Sequence, residues 1–151
     1  MERGSTQYFS ASDSASLSIT GSMSAECWVK LESNGIEQFL MGKQSGGSSR
    51  SWYFRVSSTD DLFVIVNQSA DGSDRSITSG SSTLSTDTWY HVGFYYGTGD
   101  GRIDIELDGA DDTGTVSDTS ATAIADTDDD TELGSIQAGL NTFDGKMSLR
   151  S

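Results

Sequence analysis

Several absences narrow this chain before any motif is read. Cys27 is the single cysteine in 151 residues, so there is no disulfide framework. No apolar run approaches the ~20 residues of a membrane-spanning helix. Basic residues are scarce: nine Lys and Arg stand against 23 Asp and Glu, for a net charge of −14, and the lysines are Lys30, Lys43 and Lys146 alone. Phosphate backbones and anionic lipids need clustered cations, which excludes nucleic acid and acidic membrane surfaces as natural partners. Proline is missing altogether, and the sequence offers no physical reason for it. No segment carries a sustained helical period, and there is no internal repeat and no linker.

What is present is alternation. Met23, Ala25, Cys27, Val29 and Leu31 alternate with Ser24, Glu26, Trp28 and Lys30. The same period of two runs through Trp52–Val56, Trp89–Tyr96 and Ile103–Leu107, as expected of strands with one packed face. Leu62–Val66 is more uniformly apolar and reads as a strand buried on both sides. Polar clusters at 32–35, 44–50, 57–61, 70–74, 97–101 and 109–114 read as turns. Many short strands separated by such turns predict one all-β domain over 1–151, a two-sheet antiparallel jelly-roll sandwich. With 34% apolar residues, Trp28, Trp52, Trp89 and the Phe and Tyr residues must supply much of the burial. Cys27 sits within an alternating run and reads as a small core residue.

The order of small motifs adds a family. The chain runs Gln7-Tyr8-Phe9-Ser10, Asp13–Leu17, Thr20–Lys30, Leu40-Met41-Gly42-Lys43 and Trp52–Val56. Leu84–Val92, Leu107-Asp108-Gly109, Glu132-Leu133-Gly134 and Phe143–Met147 follow. This succession, over nearly the whole chain, resembles the laminin-G-like domains of the concanavalin-A-like lectin/glucanase superfamily. The resemblance implies a jelly roll that binds or assembles. It also implies a calcium ion at the rim, where Asp13 and Asp144 fall in the matching motifs. The final strand is short for the family, ending near Leu149, which points to a truncated closing strand or one completed by a neighbouring chain.

Residues opposite the core-facing set form the candidate ligand face: Trp28, Lys30, Tyr53, Arg55, Trp89 and Tyr95, with Glu26 and His91 among them. Aromatic rings cover the apolar faces of sugars and charged groups bind their hydroxyls. Each of these aromatics has a plainer use as packing under loops. Asp126–Asp130 is the densest anionic run; it lacks the glycine spacing of a calcium loop and reads as a solvated loop. Asp104, Glu106 and Asp108 share a strand face and read as solvent-facing. No paired-acid run of a glycosidase and no nucleophile context is present, so no enzyme is expected.

Two function classes follow. One is a non-catalytic carbohydrate-binding or adhesion module, with a glycan or protein surface as its partner. The other is a structural surface protein of a virion or filament, assembled as a homo-oligomer. The Asp-rich, Lys-poor surface suits either a high-salt host or calcium-loaded carboxylates. No signal peptide is visible at Met1, and both classes place the protein at an extracellular, cell or virion surface.

Overall fold

The computed structural model describes residues 1, 7–46, 49–68, 74–78, 82–100, 102–116 and 123–149. In chain order the strands are β1 (Phe9–Ala11), β2 (Met23–Leu31), β3 (Gln38–Gly46), β4 (Ser49–Val56), β5 (Leu62–Asn67) and β6 (Asp74–Thr78). They continue with β7 (Trp89–Tyr96), β8 (Ile103–Leu107), β9 (Ala110–Asp111), β10 (Thr131–Leu133) and β11 (Gly145–Ser148). No helix occurs among the described residues, and so none there is long and apolar enough to cross a membrane. The strands form a six-stranded sheet, β1-β10-β3-β4-β5-β6, and a five-stranded sheet, β11-β2-β7-β8-β9. Neighbouring strands are antiparallel throughout both sheets.

The alternation in β2 is realised residue by residue. Met23, Cys27, Val29 and Leu31 are buried, while Ser24, Glu26 and Trp28 are exposed. Burial pushes the Cys27 thiol up to about 12, with the neighbouring Glu26 charge adding to it. β5 is buried on nearly every residue, because its sheet is covered on both sides. Aromatic contacts tie the sheets together: Phe94 of β7 lies 5.3 Å from Phe54 and 5.7 Å from Trp52, both on β4. In a chain so poor in apolar residues, these rings carry the centre of the core.

The closing strand β11 is four residues long and pairs with β2 within the same chain, Gly145 opposite Leu31 and Ser148 opposite Trp28. Gly145 starts it at φ 151°, where a Cβ would run into the Lys30 carbonyl oxygen.

Some turn assignments need correction. The polar run 44–50 is mostly strand, since β3 continues to Gly46 and β4 begins at Ser49, with register shifts between Lys43 and Gln44 and between Gln44 and Gly46. Ladder hydrogen bonds come from the backbone, so Ser and Gly side chains do not stop them. The turn expected at 70–74 lies outside the described residues except for Asp74, which opens β6, and Gly101 of the 97–101 turn lies outside them too.

Candidate functional site

The two outer faces of the sandwich differ. The outer face of the six-stranded sheet is roofed: Ile136 packs onto Phe39, Tyr53 and Ile65, and all four are buried. The segment over it is folded back by an Ile136–Leu140 bridge. The outer face of the five-stranded sheet is open, with Trp28, Trp89 and Tyr95 exposed at 37%, 45% and 36%.

Register arranges that open face in rows. Ser24, Tyr95 and Asp104 lie side by side across β2, β7 and β8; Glu26, Gly93 and Glu106 form the next row; Trp28 and His91 the next; Lys30 and Trp89 the last. Gly93 contributes no side chain, so a hollow of about 300 Å³ opens above it, walled by Glu26, His91, Tyr95, Asp104 and Glu106. Trp28 and His91 stack at 5.2 Å with their planes 47° apart. His91 Nε2 lies 3.6 Å from Glu26 Oε2. At the other end Arg102 pairs with Asp104 and lies 5.9 Å over the Tyr95 ring. Lys30 is tied to Asp87 at 3.2 Å. The chemistry on offer is a set of carboxylate acceptors beside aromatic faces, with few free cations.

Of the six residues expected at a ligand face, Trp28, Lys30, Trp89 and Tyr95 share this surface. Tyr53 and Arg55 do not; they lie on the outer face of the other sheet. Tyr53 is 7% exposed. Arg55 is stacked 4.5 Å over Phe63 and paired with Glu37, and burial pulls its pKa down. Alternation tells which residues leave the core, but not which sheet a strand joins. Asp104 and Glu106, read as merely solvent-facing, stand on the wall of the hollow. The missing signal was the β7–β8 hairpin, whose register brings Glu106 opposite Gly93.

Asp13 and Asp144 are held by different neighbours. The Asp13 carboxylate accepts a 2.6 Å hydrogen bond from Lys43 Nζ, which is 1% exposed and also reaches Asp126 at 3.3 Å and the Leu17 carbonyl at 3.4 Å. Asp144 donates its N–H to Gln38 Oε1, and its carbonyl accepts from Glu32 N–H. Asp13 is thus paired with the Lys43 ammonium. Among the described residues no group of three or more His, Cys, Asp and Glu is arranged to hold a metal ion.

The Lys43 hydrogen bond holds the Asp13 carboxyl below its ordinary 3.8 against a smaller opposing effect of desolvation. For Lys43 burial acts downward, but hydrogen bonds to Asp13 and Asp126 outweigh it and the pKa rises above 10.5. A depressed carboxylate stabilises the fold above its unfolded pKa, and that contribution is lost as pH falls through the folded value. A raised amine does the reverse, losing its contribution as pH rises through its folded value. The melting temperature is therefore expected to be flat near neutrality and to fall below about pH 3.8. Asp13→Asn is expected to lower the neutral plateau and shrink the acid drop; melting curves across pH check this.

The family model of laminin-G-like domains described as the Concanavalin A-like lectin/glucanases superfamily matches residues 3–149. Among solved structures, a candidate carbohydrate binding protein from Bacteroides ovatus superposes with TM-score 0.68 at 20% identity, over 94% of this chain and 40% of that one. The CBM40 of the Ruminococcus gnavus IT-sialidase, bound to α2,6 sialyllactose, gives 0.69 at 12% identity over 94% and 90%. Domains LG4-5 of the mouse laminin α1 chain give 0.60 at 14% over 93% and 40%. These identities speak to fold. The chain spans well under half the length of the Bacteroides protein. No curated protein matches it.

Proposed function

Because this chain belongs to the laminin-G-like family of the concanavalin A-like lectin/glucanases superfamily, we propose that it is a non-catalytic carbohydrate-binding module. Its ligand surface is the open face of the five-stranded sheet. The observation that carries this reading is the hollow above Gly93, where carboxylates and aromatic rings converge on the sheet. Trp28 and Tyr95 offer ring faces to the apolar side of a pyranose. Glu26, Asp104 and Glu106 accept hydrogen bonds from its hydroxyls.

The charge of the hollow sets the class of sugar. The Ruminococcus module was solved with sialyllactose, an anion. Here three carboxylates line the hollow, Lys30 is engaged with Asp87 and Arg102 with Asp104. Like charges repel at such range, so neutral oligosaccharides are favoured over sialylated or uronic ones. A panel of neutral and acidic oligosaccharides, read by titration calorimetry, tests this. Binding to neutral members is expected, weakened about tenfold or more by Trp28→Ala, equivalent to ~1.4 kcal/mol. Silence across the panel, or binding that Trp28→Ala leaves unchanged, would refute the proposal.

A further inference from the structure

The open face of the five-stranded sheet extends well past the hollow above Gly93, and its two ends differ in charge. Trp89 lies four residues from Gly93 along β7, about 14 Å at ~3.4 Å per residue. Its row crosses three strands: Trp89 on β7 stands opposite Lys30 on β2, and Lys30 stands opposite Lys146 on β11. Residues directly opposite one another share a face, so both lysines accompany Trp89 on the open side. Trp89 is 45% exposed and, unlike Trp28 and Trp52, stacks on no ring among the described residues. The chain has three lysines, and Lys43 is held inside the fold by Asp13 and Asp126. The other two make this pair. Like charges directly opposite destabilise a sheet. Asp87 offsets Lys30 at 3.2 Å, whereas Lys146 is exposed and its side chain has no ion-pair partner among the described residues.

The hollow carries the carboxylates of Glu26, Asp104 and Glu106, while the Trp89 end carries two lysines and an uncovered ring. An acid on a sugar is repelled at the first end and attracted at the second. We propose that Trp89, Lys30 and Lys146 form a subsite for a single acidic unit at one end of an otherwise neutral oligosaccharide. This subsite presupposes the glycan face proposed above and sharpens its specificity: the position of an acid along the chain decides whether it helps or hinders binding. Single bonds of ~1.5 Å make a pyranose about 5 Å long between its bridging oxygens, so the acidic unit falls roughly two to three units from the one over Gly93. Trp89 lies under the ring of that unit. Lysine is a compact charge on a flexible stem, so the pair can close on a carboxylate from two sides.

The test uses the whole chain and three forms of the neutral tetrasaccharide that binds best in the panel: unmodified, with a uronic acid as its non-reducing terminal unit, and with a uronic acid as its reducing terminal unit. Calorimetric titration at low salt is expected to show one of the two acidic forms binding about fivefold tighter than the neutral chain, the scale of two exposed charge contacts. The other acidic form is expected to bind no tighter than the neutral chain. The gain is expected to vanish in about 1 M salt, where screening acts within ~3 Å. Lys146→Ala is expected to bring the favoured acidic form to within about twofold of the neutral chain, and Lys146→Glu to reverse the preference. Neutral binding with no gain for either acidic form would overturn the subsite and leave the glycan face standing. A gain that Lys146→Ala leaves intact would overturn it too. If none of the three forms binds, the glycan face falls and the subsite falls with it.

Discussion

Phe54→Ala is expected to cost about 3–5 kcal/mol of stability, the range for removing a buried phenylalanine ring. Phe54 is wholly buried on β4 and meets Phe94 across the sandwich at 5.3 Å, with Trp52 beside it. The lost ring leaves a cavity exactly where the sheets touch, and rigid strands on both sides limit collapse into it. For a domain of this size each kcal/mol is worth roughly 2–4 °C, so the melting temperature is expected to fall by about 10–15 °C. Calorimetric melting of parent and variant measures it. A fall of one or two degrees would mean that the core is centred elsewhere.

Gly145→Ala carries the second large effect, and it acts through the backbone. At φ 151° an L side chain is strained, at about 1–3 kcal/mol. The added Cβ also meets the Lys30 carbonyl oxygen, a β2 backbone atom that cannot swing aside as a side-chain tip can. Overpacking of this kind adds about 1–3 kcal/mol. Relief is expected to come from release of β11 from β2, which exposes Val29 and Leu31 along the sheet edge. Limited proteolysis should then cut near 143–149 in the variant and spare the parent. Equal cleavage in the two would show that β11 contributes little to the fold.

The amount of this structure legible in the sequence depended on the kind of feature. Period-two runs located β2, β4, β7 and β8, because each has a continuous apolar face that burial selects, and a uniformly apolar run located β5. The short strands β1, β9 and β10 have two or three residues and too little pattern to register. The motif order gave the family, and with it the sandwich. The site was half legible. Trp28, Trp89 and Tyr95 were separable from the core by alternation alone, whereas the same rule took Tyr53 and Arg55 to the outer face of the other sheet. Their roof, Ile136, arrives from a segment some eighty residues on, held by left-handed backbone at Gln137, Ala138 and Asn141. Nothing in local pattern announces that contact. Lys43 was equally hidden, since a lysine in a strand reads as a surface charge until two aspartates from distant loops close over it.

The central claim is that a neutral sugar lies on the five-stranded sheet above Gly93. The direct measurement is an amide chemical-shift titration of the labelled chain with the tightest-binding neutral oligosaccharide of the panel. The account predicts saturable shifts at Glu26, Trp28, His91, Gly93, Tyr95 and Glu106, including the Trp28 indole N–H, with Tyr53, Ile65 and Ile136 unmoved. Shifts confined to the six-stranded sheet, or to its 128–138 rim, would contradict it.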